Sequence, residues 1–354
     1  MKLVAMGASL AALSMIAACG ADETSASEPD GAWSGKTVTI VVSQAPGGGH
    51  DVMARLIGKH LGKHLPGKPK FVVANMEGAS HRVAANHVYA AKPDGLTLAL
   101  MNNGVPSYNL AGETAEDGTR FDVGKMGWIG SPSREVQVLV MHKRTGAVVG
   151  DMDSVLRKEW KIAHEGIGGA PHLTQVALEL GLGFKLKPIF GYAGADRDLS
   201  VDRGETDGVI GVWDSVERER KSDLESGTLV PIVTIGGEQP DSPHLKGVPT
   251  AEELVDASDD DSKQALLDVE AQKLGWSRSL VAPPGMSTEM LETLRKAFDS
   301  TMEDPEFLSA AADLKITITA TKGEVIQDRI AQYLKTDESV VKSILEAVEA
   351  DRDK

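Results

Sequence analysis

Residues 38–42 hold Val38, Ile40, Val41 and Val42 in a nearly unbroken β-branched run, the pattern of a strand covered on both faces of an α/β sheet. Pro46 and the glycines Gly47, Gly48 and Gly49 end it. Val52, Met53, Leu56, Ile57, His60 and Leu61 then fall at helical spacing, with Asp51 read as the helix N-cap. A glycine turn of this kind lets a ligand approach the backbone, and the first-turn N–H groups behind it have no acceptor inside the helix. A carboxylate or phosphate fits there. Alone, the stretch is equally an ordinary tight turn; its repetition further along carries the argument.

The repetition is present. Residues 70–75 form a second predicted strand, followed by Glu77-Gly-Ala-Ser-His-Arg82 opening a helix to residue 91, and residues 96–101 form a third strand. This β-α-β-α-β order predicts a parallel sheet with right-handed crossovers. The loop at 102–107, with Asn103, lies at a strand's C-terminal end, where ligands gather in open α/β sheets. Strands are predicted at 126–130 and 136–142, the second crossing into another lobe. A new alternation follows: a helix at 154–160, a strand at 161–164, the turn Gly166-Ile-Gly-Gly-Ala-Pro-His172, a helix ending at Gly181 and a strand at 185–190. Gly191-Tyr-Ala-Gly194 makes a fourth turn. A strand at 209–212, a charged helix at 214–226 and a strand at 229–235, read as the second crossing, complete this lobe. The remainder, with helices at 262–274, 287–299, 305–314 and 322–334 and a strand at 279–282, returns to the first lobe. The pattern describes a clamshell of two parallel-sheet α/β lobes with two crossover strands and the site in the gap. The expected division is a leader at 1–18, a tether at 19–35, a first lobe from 36–137 with 245–354, and a second lobe at 138–244.

Composition narrows the function. The chain has 354 residues, is 41% hydrophobic and 25% charged, and carries a net charge of −15, a balance that argues against nucleic acid as partner. An anionic ligand stays compatible, because salt screens distant carboxylates over roughly 8 Å, whereas a charge-assisted hydrogen bond to a local amide contributes about 1.5–3 kcal/mol. The apolar run after Lys2 reads as an export signal, and Ile16-Ala-Ala-Cys19 matches the lipobox of bacterial lipoproteins, with Cys19 the acylated residue and membrane attachment through lipid. The single cysteine leaves no internal disulfide. The turns lack the Gly-Lys-Ser/Thr of a phosphate loop and the spaced glycines of a dinucleotide fingerprint, so no cofactor is expected. His50, His81 and His172 lack metal-ligand spacing, and no nucleophile elbow is present, so neither a metal site nor a catalytic residue is expected.

Taken in order, Pro46-Gly-Gly-Gly-His-Asp51 with Arg55, Asn75-Met-Glu-Gly-Ala79, Lys92-Pro-Asp-Gly-Leu-Thr97, Gly168-Gly-Ala-Pro-His-Leu173, Gly191-Tyr-Ala-Gly194, Val248-Pro-Thr-Ala-Glu252 and Ala282-Pro-Pro-Gly285 resemble the solute receptors of tripartite tricarboxylate transporters, also called Bug-type receptors, over residues 37–334. The resemblance implies a periplasmic binding protein type II fold and a receptor, not an enzyme. Such a receptor delivers a small carboxylate to membrane permease subunits, here as an expected monomer. It further implies that Gly48, Gly49, Asp51, Gly78, Ala79 and Ser80 hold one ligand carboxylate and that Gly168, Gly169, His172, Tyr192 and Gly194 form the opposite wall. This chain departs from the pattern at Ser80-His-Arg82 and at His50.

Several residues keep two readings. Arg82 is a cation for a second anionic group or part of a solvated helix face. Arg55 steers ligand or pairs with a carboxylate such as Asp94. His172 contacts ligand or caps its helix, and Trp213 lines the cleft or belongs to the core. The functional alternatives are an exported α/β enzyme acting on a phosphate-containing substrate, and a periplasmic sensor subunit binding the same carboxylate.

Overall fold

The computed structural model describes residues 29–352, apart from 193, 237–238 and 256–260. The leader, Cys19, the tether up to residue 28, and Asp259 and Asp260 lie outside the described residues. The tether ends earlier than its composition implies: Trp33 is fully buried in the first core and donates its indole N–H to Gly95 O at 3.0 Å.

The two-lobed α/β fold is present, built on two mixed sheets. The first contains β1 (Thr37–Val42), β2 (Lys70–Asn75), β3 (Thr97–Met101), β4 (Gly127–Ser131), β10 (Ser279–Ala282) and β11 (Thr321–Lys322), in the order β11-β4-β10-β3-β1-β2. Strand β1 pairs in parallel with β2 and β3, which explains its apolar run: Val38, Ile40, Val41 and Val42 have no exposed surface. The second sheet contains β5 (Gln137–His142), β6 (Trp160–Ala163), β7 (Leu186–Ile189), β8 (Gly208–Val212) and β9 (Leu229–Ile235), in the order β7-β6-β8-β5-β9.

Neither sheet is wholly parallel. β10 runs antiparallel to β3 and β4, and β5 runs antiparallel to β8 and β9. The reason is topological. A strand that enters a lobe from the other starts at the cleft edge and runs away from it, whereas β1, β2, β3, β6, β7 and β8 run toward it. The two segments read as crossover strands, 136–142 and 229–235, are thus members of the second sheet. The lobes are joined by residues 132–136 and 275–278. These connections lie side by side: Glu135 N donates to Leu274 O at 3.0 Å, and Ser131 Oγ lies 2.5 Å from Ser277 O.

The helices that position the site are α1 (Gly49–Leu61), α2 (Arg82–Tyr89), α3 (Ala170–Leu182), α4 (Ala195–Arg203), α5 (Asp261–Leu274), α6 (Thr288–Met302), α7 (Gly323–Tyr333) and α8 (Glu338–Arg352). Helix α3 runs through Gly181, where its end was expected. Leu267 of α5 fills the space a side chain would occupy, and the αL residue Gly183 terminates the helix. The charged helix expected at 214–226 is two short ones, Trp213–Glu219 and Lys221–Glu225. Helices α4 and α8 were not anticipated. α4 is strongly polar, with Val201 its fully buried apolar residue. α8 starts on the first core, where Val340 is buried beside Tyr333, and runs to α3 of the second lobe.

Helix α6 closes the first core over β4. Phe298 is fully buried, and its ring lies where a Cβ on Gly130 would be, 2.3 Å away, so only glycine permits this approach. Removing that ring leaves a cavity between α6 and the sheet. Phe298→Ala is expected to lower stability by about 3–5 kcal/mol, read as a shift in the urea midpoint without change in the native circular dichroism spectrum.

Candidate functional site

The first turn is shaped by a buried carboxylate. Helix α1 begins at Gly49 with Gly48 as N-cap, so Asp51 is not the cap; it lies in the first turn, 2% exposed. From there it reaches backward and accepts from Gly47 N at 2.9 Å, from Arg55 Nε and Nη2 at 2.9 Å each, and from Asn75 Nδ2 at 3.0 Å. The carboxylate thereby ties the glycine turn, α1 and the end of β2 together. Arg55 foremost, with Gly47 N–H and the Asn75 amide, holds its carboxyl down to about 2 despite burial. Arg55 is therefore paired with Asp51, not with Asp94, whose carboxylate accepts from Leu96 N. His50 is 7% exposed with Nε2 unpartnered; burial, then the Arg278 charge and His81, push its imidazole down to about 3. Arg278 itself packs beside Gly49 and pairs with Glu135 at 3.1 Å.

The second turn is strained. Gly78 has φ +127°, and the non-glycine residues Ala79 and His81 have φ +45° and +77°. Left-handed conformations at two such residues in so short a stretch are costly and concentrate where geometry serves a ligand. His81 Nδ1 lies 3.4 Å from Ser43 O, joining this turn to the end of β1. Arg82 is committed elsewhere: Nη2 donates to both oxygens of Glu113 at 2.7 Å, Nε donates to Glu113 and Thr119, and the guanidinium stacks 3.7 Å above the Tyr108 ring. Its charge is neutralised within the lobe. Asn103, 5% exposed, sits on the third loop.

On the second lobe, Gly169 is the N-cap of α3 and Gly168 has φ +73°. His172 is fully buried, and Gly168 N–H donates to its Nδ1 at 3.0 Å. The ring proton then sits on Nε2, which faces Asp351 Oδ2 of α8 at 2.9 Å. His172 thus closes the turn, with both ring nitrogens bonded inside the protein. His164, at the end of β6, bonds Gln175 Oε1 at 2.6 Å, and burial pushes its imidazole down to about 4, so it is neutral at pH 7. Tyr192 donates its hydroxyl to Glu205 at 2.9 Å. Trp213 is 1% exposed within the second core and does not line the cleft; its neighbours Val212 and Asp214 border open space instead.

Between the lobes lies a cavity of about 750 Å³. Of the residues predicted from the sequence, Arg82, Asn103, Gly168, Gly169 and His172 border it, as does His81. Gly48, Gly49, Asp51, Gly78, Ala79, Tyr192, Gly194 and Trp213 are not among its lining residues. Arg197, in the first turn of α4, also borders it. A second interlobe space of about 650 Å³ is bordered by Arg278, Asp214 and Lys315. Sequence reasoning missed Arg197, His164 and Arg278. Arg197 stands just beyond the fourth glycine turn, and Arg278 immediately precedes a correctly predicted strand, so position relative to the turns and strands was the available signal.

No protein-family model matches the chain. A structure of a TctC solute binding protein from Polaromonas, without ligand, superposes with a TM-score of 0.68 at 18% identity, covering 88% of this chain and 98% of that one. The fold is that of the TctC-type solute-binding proteins. The TctC-type fold is shared with a Rhodopseudomonas palustris protein solved with adipate (TM-score 0.61, 20% identity, 88% and 98% covered). MatC from the same organism, solved with malate, also has it (TM-score 0.56, 21% identity, 86% and 99% covered). A curated relative, the UPF0065 protein in the TAR-I ttuE-ttuC' intergenic region of Agrobacterium vitis, is 39% identical over 85 residues, 23% of this chain. The match spans 24% of that relative's length. The structural neighbours reported with a TctC-type fold are solute-binding or ligand-bound proteins, none named as an enzyme.

The perturbed groups of the first turn give a signed pH dependence. The imidazole of His50 is depressed from 6.5 to about 3, so unfolded chains take up its proton first and stability falls as pH drops through that window. Asp51, depressed from 3.8 to about 2, contributes stability that is complete above the higher value and lost toward the lower. Thermal melts are expected to show a shallower decline from pH 6.5 to about 4 in His50→Gln, while Asp51→Asn changes the slope only below about pH 4.

Proposed function

We propose that this chain is a periplasmic solute receptor that captures a small organic carboxylate between its lobes. It then delivers the carboxylate to the membrane subunits of a tripartite tricarboxylate-type transporter, and it acts as a monomer tethered by lipid on Cys19. The observation that carries this reading is the interlobe cavity of about 750 Å³, bordered on one side by the His81 and Asn103 loops and on the other by the Gly168-Gly169 turn at the start of α3. It is supported by the fold shared with proteins solved with malate and adipate.

The physics of capture follows from that construction. Helix N-termini favour negative charge by roughly 0.3–1 kcal/mol each when exposed and more when partly buried. Unpaired backbone amides in the first turn of a helix supply donors that need no side-chain charge and so cost little conformational entropy. A few charge-assisted hydrogen bonds at about 1.5–3 kcal/mol each, less ordering costs, suffice for a micromolar constant, about −8 kcal/mol. Ligand stabilises the closed form only as far as it touches both lobes, and the membrane partner reads that closure. No bond is made or broken.

A thermal-shift screen of the chain from residue 20 onward tests this, using malate, adipate, monocarboxylates, inorganic phosphate and ATP. A carboxylate at one hundred times its dissociation constant is expected to add about 2.7 kcal/mol of stability. Stabilisation by phosphate or ATP alone overturns the receptor reading in favour of an enzyme. For the tether, Cys19→Ser is expected to move the exported protein from the membrane fraction to the soluble fraction of the host cell; unchanged partitioning overturns lipid attachment.

A further inference from the structure

The basic groups around the large cavity are not equivalent. Arg82 is held by Glu113, Lys273 is bonded to Glu270 at 2.5 Å, and Arg352 to Glu349 at 3.0 Å. Arg197 differs from all of them. Among the described residues no carboxylate comes within ion-pair distance of its guanidinium. Its Nε is buried without a hydrogen-bond partner, and Nη1 makes one long bond of 3.4 Å to Ile210 O. The ion pairs nearby go to another arginine: Asp202 lies 2.6 Å from Arg220, and Asp198, which feels the Arg197 charge without closing an ion pair to it, lies 3.9 Å from Arg220. His164 on the same wall is kept neutral by burial and adds no charge. Glu165 also borders the cavity, but it is exposed, where solvent and salt weaken its field.

A guanidinium bordering a cleft with a buried, unpartnered Nε and no carboxylate in ion-pair contact is an unpaid cost unless an anion completes it. Arg197 belongs to the second lobe, whereas the His81 and Asn103 loops belong to the first. A ligand with one carboxylate reaches charge-stabilising donors on one lobe; a ligand with two reaches both and holds the lobes together.

We propose that Arg197 is the specificity-determining cation of the cleft and selects dicarboxylates over monocarboxylates by pairing with the second carboxylate of the ligand. The inference rests on the receptor reading above and specifies its ligand class. The planar fork of arginine offers a carboxylate two parallel hydrogen bonds, which lysine as a point charge does not reproduce.

The test is titration calorimetry on the mature chain with succinate, malate and adipate, each matched to a monocarboxylate of the same carbon number. Wild-type protein is expected to bind at least one diacid more tightly than its matched monoacid. Arg197→Gln is expected to weaken the diacid by about tenfold to a hundredfold, the span of a lost charge-assisted pair, while leaving the monoacid within about twofold. Arg197→Lys is expected to fall between the two. An equal loss for both ligand classes, or no loss, overturns the assignment while the receptor reading stands. If the wild-type chain binds no carboxylate of either class, the receptor reading fails and takes this inference with it. Urea midpoints of both variants within error of wild type confirm that affinity, not folding, has changed; if Arg197→Gln is unfolded, the diacid-to-monoacid ratio of Arg197→Lys decides, and an unchanged ratio overturns the assignment.

Discussion

The molecule is organised by one constraint: the chain must pass between the lobes at the cleft, so the direction of each strand depends on how it meets that boundary. Strands that run toward the gap, β1, β2, β3, β6 and β7, end in the turns that border or approach it. Strands fed by the connections at 132–136 and 275–278 run the opposite way and sit centrally, β10 between β3 and β4 and β5 between β8 and β9. The connections are bonded to each other through Glu135 and Leu274 and through Ser131 and Ser277. Mixed sheets and converging loops are therefore two outcomes of the same threading.

Within that frame, the shape of the turns depends on carboxylates the protein supplies to itself. Asp51 fixes the first turn by taking Gly47 N–H. Asp351 serves the second lobe through His172, which in turn holds Gly168. A strongly acidic chain thus leaves several of its carboxylates near the cleft, Glu113, Glu270 and Asp351 among them, engaged in local bonds.

Much of this was legible in the sequence, for definite reasons. Val38, Ile40, Val41 and Val42 announce a doubly covered strand. Pro46 with three glycines, and Gly168-Gly169 before Pro171, announce turns that lead into helices. Asp51 was misread because glycine can itself act as an N-cap, moving the helix start two residues upstream of the obvious capping side chain. Trp213 follows a strand as a cleft residue would, but its ring turns into the core. Arg82 and Arg197 look alike on paper; only the fold brings Glu113 into contact with the one and, among the described residues, no carboxylate into ion-pair contact with the other. The His172–Asp351 contact joins positions 179 residues apart, a separation at which local pattern carries no information. Helix α8 did leave a trace, Val340, Val341, Ile344, Leu345 and Val348 at helical spacing.

That last helix changes the mechanics of the pair of lobes. The two connections lie side by side on one edge of the lobes. α8 adds a further tie, anchored at Val340 in one core and at Asp351 on the other lobe. Seen as a linkage, the molecule is a hinge with a stay. Any opening of the lobes about the two connections must carry α8 along or break the buried Asp351–His172 bond.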